Sequence, residues 1–225
     1  MRSWFPWLAS LIMSLVHLRA EQPSATPRFE AEIQRFEALD RRIPPPPRPI
    51  LMVGSSSIRL WTNLPPTLQG RPVLNRGFGG STFKDFLRYF SRVVLPYGPA
   101  VLVVYEGDND LAEGKTPAEI AGDLGILLDR AGTELRDCNV LLLTVKPSPA
   151  RIQLLGAQRQ LNQQFKAMAA ARKRVIVVDV ASPLLDPQGQ PDPRFFAADR
   201  LHLNSEGYEA WRKPVFEAIE AALRR

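Results

Sequence analysis

Ile50-Leu51-Met52-Val53-Gly54-Ser55-Ser56-Ser57 decides how this chain folds. Four apolar residues run without a polar alternate and stop at a glycine followed by three serines. A strand with one wet face alternates apolar and polar residues, so a continuous run fits a strand buried on both faces of a parallel sheet. Four further runs of this kind cover residues 73–75, 100–105, 140–144 and 175–179. Candidate helices lie between and after them at residues 83–93, 117–135, 153–171 and 205–223. Thr116-Pro117-Ala118-Glu119 has the form of a capping box with proline at the first helical position, which marks one helix start sharply. The β-α-β-α order predicts a doubly wound α/β domain, a three-layer α/β/α sandwich around a five-stranded parallel sheet.

Upstream of the first strand, Phe29, Ile33, Phe36 and Leu39 recur at three and four residues with Glu30, Glu32, Arg35 and Asp40 between them. That is the pattern of one amphipathic helix. It ends before Pro44-Pro45-Pro46-Pro47, which lacks backbone donors and is read as an extended connector rather than a recognition motif. Residues 1–20 carry a positive end at Arg2, an apolar stretch over residues 8–18 and Ala20 as a cleavage position, a secretory signal by pattern and too short for a spanning helix of about 20 residues. Leu18 and Arg19 fit a cleavage site less well, so an uncleaved membrane anchor is the alternative. The division expected is a signal or anchor at 1–20, a leader helix and proline-rich linker at 21–48, and the α/β domain at 49–225. Export, periplasmic or secreted, follows from that division.

At 225 residues, 45% hydrophobic and 23% charged, the chain has the size and composition of one globular domain that buries a core. Its formal charge of +6 drops to +4 once Arg2 and Arg19 leave with the signal, and the remaining bases form no Lys/Arg block with interleaved aromatics. Nucleic acid is therefore not the expected partner. The single cysteine, Cys138, has no partner for an internal disulfide and sits before an apolar run as a buried, inert thiol. Nothing in the sequence specifies an oligomeric state.

In doubly wound sheets, ligand sites form at the carboxyl ends of the strands. Four polar or glycine-rich segments fall there: Gly54-Ser55-Ser56-Ser57, Gly77-Phe78-Gly79-Gly80-Ser81, Gly107-Asp108-Asn109-Asp110, and the loop that carries Asp199 and His202. Of the two histidines, His17 lies in the signal segment, so imidazole chemistry in the mature protein falls to His202, with a carboxylate three residues before it. A nucleophilic hydroxyl needs a base, a group that orients the base, and donors for an oxyanion. One of Ser55, Ser56 and Ser57 would lie at the first helical turn after the first strand, where free N–H groups favour developing negative charge. Gly80 can bring its N–H close to a ligand, and Asn109 can supply an uncharged donor. No cluster of His or Cys is present to hold a metal, and no cofactor is expected. Trp61 is read as packing. Glu106, Asp108 and Asp110 are read as caps and turn residues rather than a cation site, while Lys146 and Ser148 either line the substrate side or reverse the chain.

These segments resemble, in order, the blocks of the SGNH hydrolases, the GDSL esterase and lipase superfamily, and the layout is most similar to the branch resembling platelet-activating-factor acetylhydrolase. The first block, usually Gly-Asp-Ser, reads Gly54-Ser55-Ser56 here, and the resemblance implies Ser56 as nucleophile with Ser55 in place of the aspartate. It implies Gly80 and Asn109, together with the Ser56 N–H, as the oxyanion hole, and Asp199 and His202 as the rest of the triad. It further implies a flavodoxin-like sheet and hydrolysis of a small, lipid-like or acetylated ester through an acyl-serine. Alternatives in keeping with the same resemblance are a carbohydrate O-acetyl esterase or acyltransferase, and a non-catalytic binding protein with the same fold.

Overall fold

The computed structural model describes residues 27–224, so the expected signal at 1–20, with Arg2, His17 and Arg19, and the start of the leader lie outside the described residues. The strands are β1 (Ile50–Gly54), β2 (Thr67–Leu68), β3 (Arg71–Gly77), β4 (Val101–Tyr105), β5 (Asn139–Leu143) and β6 (Val175–Val178). Successive side chains of the central strands enter different cores. Leu51 and Val53 of β1, Leu102 and Val104 of β4, and Val140 and Leu142 of β5 face one layer. Ile50, Met52, Val101, Val103, Tyr105, Leu141 and Leu143 face the other. Because both faces exclude water, neither can carry polar residues at period two, and the continuous apolar runs follow.

The first layer contains α1 (Glu30–Arg42), α3 (Phe83–Val93), α5 (Pro117–Glu134) and α6 (Leu155–Ala170), whose Ile33, Phe86, Leu124 and Phe165 are fully buried. The second contains α7 (Ser205–Leu223) and the one-turn α2 (Ser56–Arg59), joined through Trp61, Tyr208 and Trp211. Burial of each large side chain contributes about 1.5–3 kcal/mol, and the cores on the two faces fix the sheet between them. A capping box at Thr116 and Glu119 starts α5 at Pro117 as expected, and a second one, Thr82 with Asp85, starts α3.

The strand order is β2-β3-β1-β4-β5-β6. Counting the parallel strands alone, this is the 2-1-3-4-5 order of a flavodoxin-like sheet. The sheet has six strands rather than five, because the two-residue β2 pairs antiparallel with the start of β3. The chain leaves β1 for β3 on one side and then crosses back to β4 on the other, so the end of β1 is the topological switch point. Helix α1 is docked on α3 and β3: Arg92 of α3 pairs with Glu30 (2.8 Å) and Glu37 (2.6 Å), and Arg76 of β3 meets Asp40 at 2.5 Å. Among the described residues, no helix is long and apolar enough to cross a membrane.

Candidate active site

At the end of β1 the chain makes a turn that needs glycine. Gly54 has φ +134°, and a Cβ there would lie 2.1 Å from the carbonyl oxygen of Tyr105. The next amide, Ser55 N–H, donates to that same oxygen at 3.1 Å, and the Ser55 carbonyl then accepts from Ile58 and Arg59 to close α2. Backbone groups thus carry the turn where Ser55 replaces the aspartate of the family pattern. Ser55 and Ser57 are 2% and 3% exposed, whereas Ser56 is only half-buried. Among the three serines, burial singles out Ser56.

Ser56 Oγ lies 3.0 Å from Nε2 of His202, and Nδ1 of His202 lies 2.5 Å from Oδ2 of Asp199. With its proton on Nδ1, the imidazole donates to the carboxylate and accepts from the serine hydroxyl. The other Asp199 oxygen accepts from the backbone N–H groups of Leu201 and His202, both at 2.9 Å. These contacts, the His202 ring first among them, hold the Asp199 carboxyl down to about 2. The loop is closed by an Ala197 N–H to His202 carbonyl bond of 2.8 Å. Asn204 caps α7 by accepting from Gly207 N–H at 3.0 Å, which sets where the loop ends.

Gly80 sits at φ +84°, and its carbonyl accepts from Nη2 of Arg28 at 2.9 Å. Asn109, in the short α4 (Asp108–Ala112), donates from Nδ2 to the Ser81 carbonyl at 2.9 Å, so the second and third glycine-rich segments are bonded to each other. Beneath them the Ser81 hydroxyl meets Oε1 of Glu106 at 2.5 Å, and complete burial pushes the Glu106 carboxyl well above the ordinary range.

The three acids of this segment serve structure. Asp110 accepts from the N–H of Phe83 at the start of α3 and pairs with Lys115 at 2.9 Å, and Asp108 pairs with Lys146 and Arg151 at 3.3 and 3.0 Å. Among the described residues, no group of three or more His, Cys, Asp or Glu is placed to hold a metal ion. Lys146 and Ser148 are each 1% exposed, so they lie behind the site rather than along a substrate wall. Trp61 packs, fully buried, against Tyr208 and Trp211. Two residues touching the site had no signal in the sequence reading. Tyr208 donates its hydroxyl to the Ser57 carbonyl at 2.9 Å, and Arg151 donates to Oδ1 of Asn109 at 3.1 Å. Their partners are 151 and 42 residues away, beyond any local pattern.

The sequence profile of the GDSL-like lipase/acylhydrolase family matches residues 52–210. A GDSL-like lipase from Bacteroides thetaiotaomicron superposes with a TM-score of 0.73 at 24% identity, covering 85% of this chain and 98% of its own. A lipase/acylhydrolase from Enterococcus faecalis gives 0.64 at 23% identity, covering 77% and 96%. A catalytic mutant of Axe2, an acetylxylan esterase from Geobacillus stearothermophilus, gives 0.61 at 15% identity, covering 76% and 93%. At these identities the likeness is one of fold. No curated protein matches the sequence.

Proposed function

The chain belongs to the GDSL-like lipase/acylhydrolase family, and on that premise we propose that it cleaves carboxylic esters of a small, lipid-like or acetylated substrate through an acyl-serine on Ser56. The reading rests on one observation, the unbroken line from Asp199 through both nitrogens of His202 to Ser56 Oγ, with contacts of 2.5 and 3.0 Å. Neutral His202 takes the hydroxyl proton as Ser56 Oγ attacks the ester carbonyl. The carbonyl oxygen becomes an oxyanion held by the N–H groups of Ser56 and Gly80 and by the Asn109 carboxamide. The imidazolium then gives its proton to the departing alcohol oxygen, leaving an acyl-serine. A water molecule, deprotonated by His202, attacks the acyl carbon, and the released serine oxygen recovers its proton. Asp199 stabilises the imidazolium throughout.

Release of p-nitrophenol from short acyl esters tests this. Wild type turns over and is labelled by a fluorophosphonate; Ser56→Ala does neither, with kcat lower by on the order of 10⁴-fold or more. Equal rates in the two proteins would refute the nucleophile, and absence of labelling in the wild type would leave a binding protein with this fold.

A second reading, acetyl removal from or transfer to a carbohydrate, is favoured by the openness of the acid–base pair: the side chains of His202 and Asp199 are 27% and 50% exposed. A bulky alcohol or acceptor reaches such a site without entering a tunnel. Supplying sugar acceptors and measuring transferred acetyl against free acetate separates the two. The pattern of residues 1–20 supports export, tested by the N-terminal sequence of the protein recovered outside the cytoplasm.

A further inference from the structure

The turn after β5 is bonded to both halves of the site. Ala150 N–H donates to the carbonyl of Arg200, the residue after Asp199, at 3.0 Å. Arg151, one step on, spreads its guanidinium over the opposite half. Its Nη1 meets both the main-chain oxygen and Oδ1 of Asp108 at 3.0 Å, and its Nη2 meets Oδ1 of Asn109 at 3.1 Å. Asn109 is therefore gripped at both ends of its carboxamide, since its Nδ2 donates to the Ser81 carbonyl.

We propose that Arg151 is a positioning residue of the oxyanion hole, which fixes the direction and the donor strength of the Asn109 carboxamide. The inference rests on the role given to Asn109 under the proposed function. A carboxamide turned by 180° presents an oxygen where a donor is needed, and an oxygen facing an oxyanion repels it. A guanidinium carries donors and no acceptor. Turning the Asn109 amide would set N–H against N–H at Arg151 and oxygen against oxygen at Ser81, so one orientation survives. Of the two Nδ2 hydrogens, one is spent on Ser81 and the other remains for the substrate.

The cation adds a second effect. By drawing electron density towards Oδ1, it makes the remaining N–H a stronger donor as negative charge develops on the substrate. Arg151 is itself held, because Asp108 also meets Lys146 Nζ at 3.3 Å and Gln158 Nε2 at 3.4 Å. Its side chain is 17% exposed, which keeps water from competing for the contact. Lysine would not substitute, since one ammonium lacks the planar fork that spans Asp108 and Asn109 together.

The test is a double-mutant cycle on the full chain with p-nitrophenyl acetate, comparing wild type, Arg151→Met, Asn109→Ala and the double variant. Asn109→Ala lowers kcat by roughly 10²- to 10³-fold, as loss of one oxyanion donor does. Arg151→Met lowers kcat by about tenfold or more with KM within about twofold, and in the Asn109→Ala background its effect shrinks to under about threefold. A kcat for Arg151→Met equal to wild type, or an undiminished Arg151→Met effect in the Asn109→Ala background, overturns the proposal. Wild-type kcat in Asn109→Ala overturns the oxyanion role of Asn109 itself and the proposal with it. Unfolding midpoints report whether each variant folds, and if Arg151→Met does not, Arg151→Lys, which keeps the cation beside Asp108, runs the same cycle with the same criteria.

Discussion

Nε2 of His202 stands 3.0 Å from Oγ of Ser56 across 146 residues of chain. The second core holds that distance. Trp61, two residues beyond α2, stacks on Tyr208 with ring centroids 5.5 Å apart and meets Trp211 edge-on at 5.9 Å, so the turn carrying Ser56 rests on the first two turns of α7. Tyr208 also donates to the carbonyl of Ser57, the residue after Ser56. The loop bearing His202 ends in the cap of this same helix.

Tyr208→Phe tests the bracing. It removes the hydroxyl, keeps the ring and leaves a buried carbonyl short of a donor, which costs about 1–3 kcal/mol. Urea unfolding should show that loss, and kcat should drop several-fold because the Ser56 turn loosens. Unchanged stability and kcat would mean that ring packing alone fixes the turn.

The pH profile tests Asp199. The Asp199 carboxyl is depressed to about 2, so the stability it adds is fully present above its unfolded value of 3.8 and is lost progressively as pH falls from there through about 2. Asp199 should therefore contribute no proton step to kcat/KM between pH 4 and 7, and its own step should appear only at far lower pH. A two-proton slope in that range would contradict the assignment. Asp199→Asn should lower kcat by as much as about 10⁴-fold by allowing the wrong tautomer.

Gly80→Ala should impair the chemical step. At φ +84° an alanine is strained by about 1–2 kcal/mol, and its Cβ would lie 3.2 Å from the Arg28 guanidinium. Relief requires moving the peptide whose N–H the proposed function assigns to the oxyanion, so on that reading kcat should fall about tenfold or more with little change in KM. Parallel losses in kcat and in thermal stability, with KM raised, would point to collapse of the loop instead.

Cys138 reports unfolding. The thiol is 4% exposed, and burial pushes it up to about 12, so the reactive thiolate is scarce at pH 8. An aromatic disulfide reagent should leave it untouched in the native protein and react stoichiometrically in urea. Rapid native reaction would show that the chain at the start of β5 opens readily.

The parallel strands were legible because burial on both faces forbids polar alternates, and residues 50–53, 100–105 and 140–144 show that constraint directly. The helix start at Pro117 was legible from its own capping box. β2 was not, since two residues after Pro65-Pro66 carry no periodicity and pair only because β3 lies beside them. Helices α2 and α4, at four and five residues, are too short to show a 3.6-residue repeat. The helix expected from residue 153 begins as a 3₁₀ segment at Pro149–Leu154 and becomes α-helical at Leu155, where the Pro-bearing turn ends.

Residue order alone determined the α/β/α architecture, the loops that would hold chemistry, and the pairing of Asp199 with His202, because each depends on neighbours within one element or turn. The residues by themselves left three adjacent serines open and the family resemblance implied Ser56, but only tertiary structure brings its Oγ to the imidazole, Arg151 to Asn109 and Tyr208 to Ser57. Those contacts form between segments brought together by burial of two cores, and a chain read in one dimension carries no record of which distant donor will meet which acceptor.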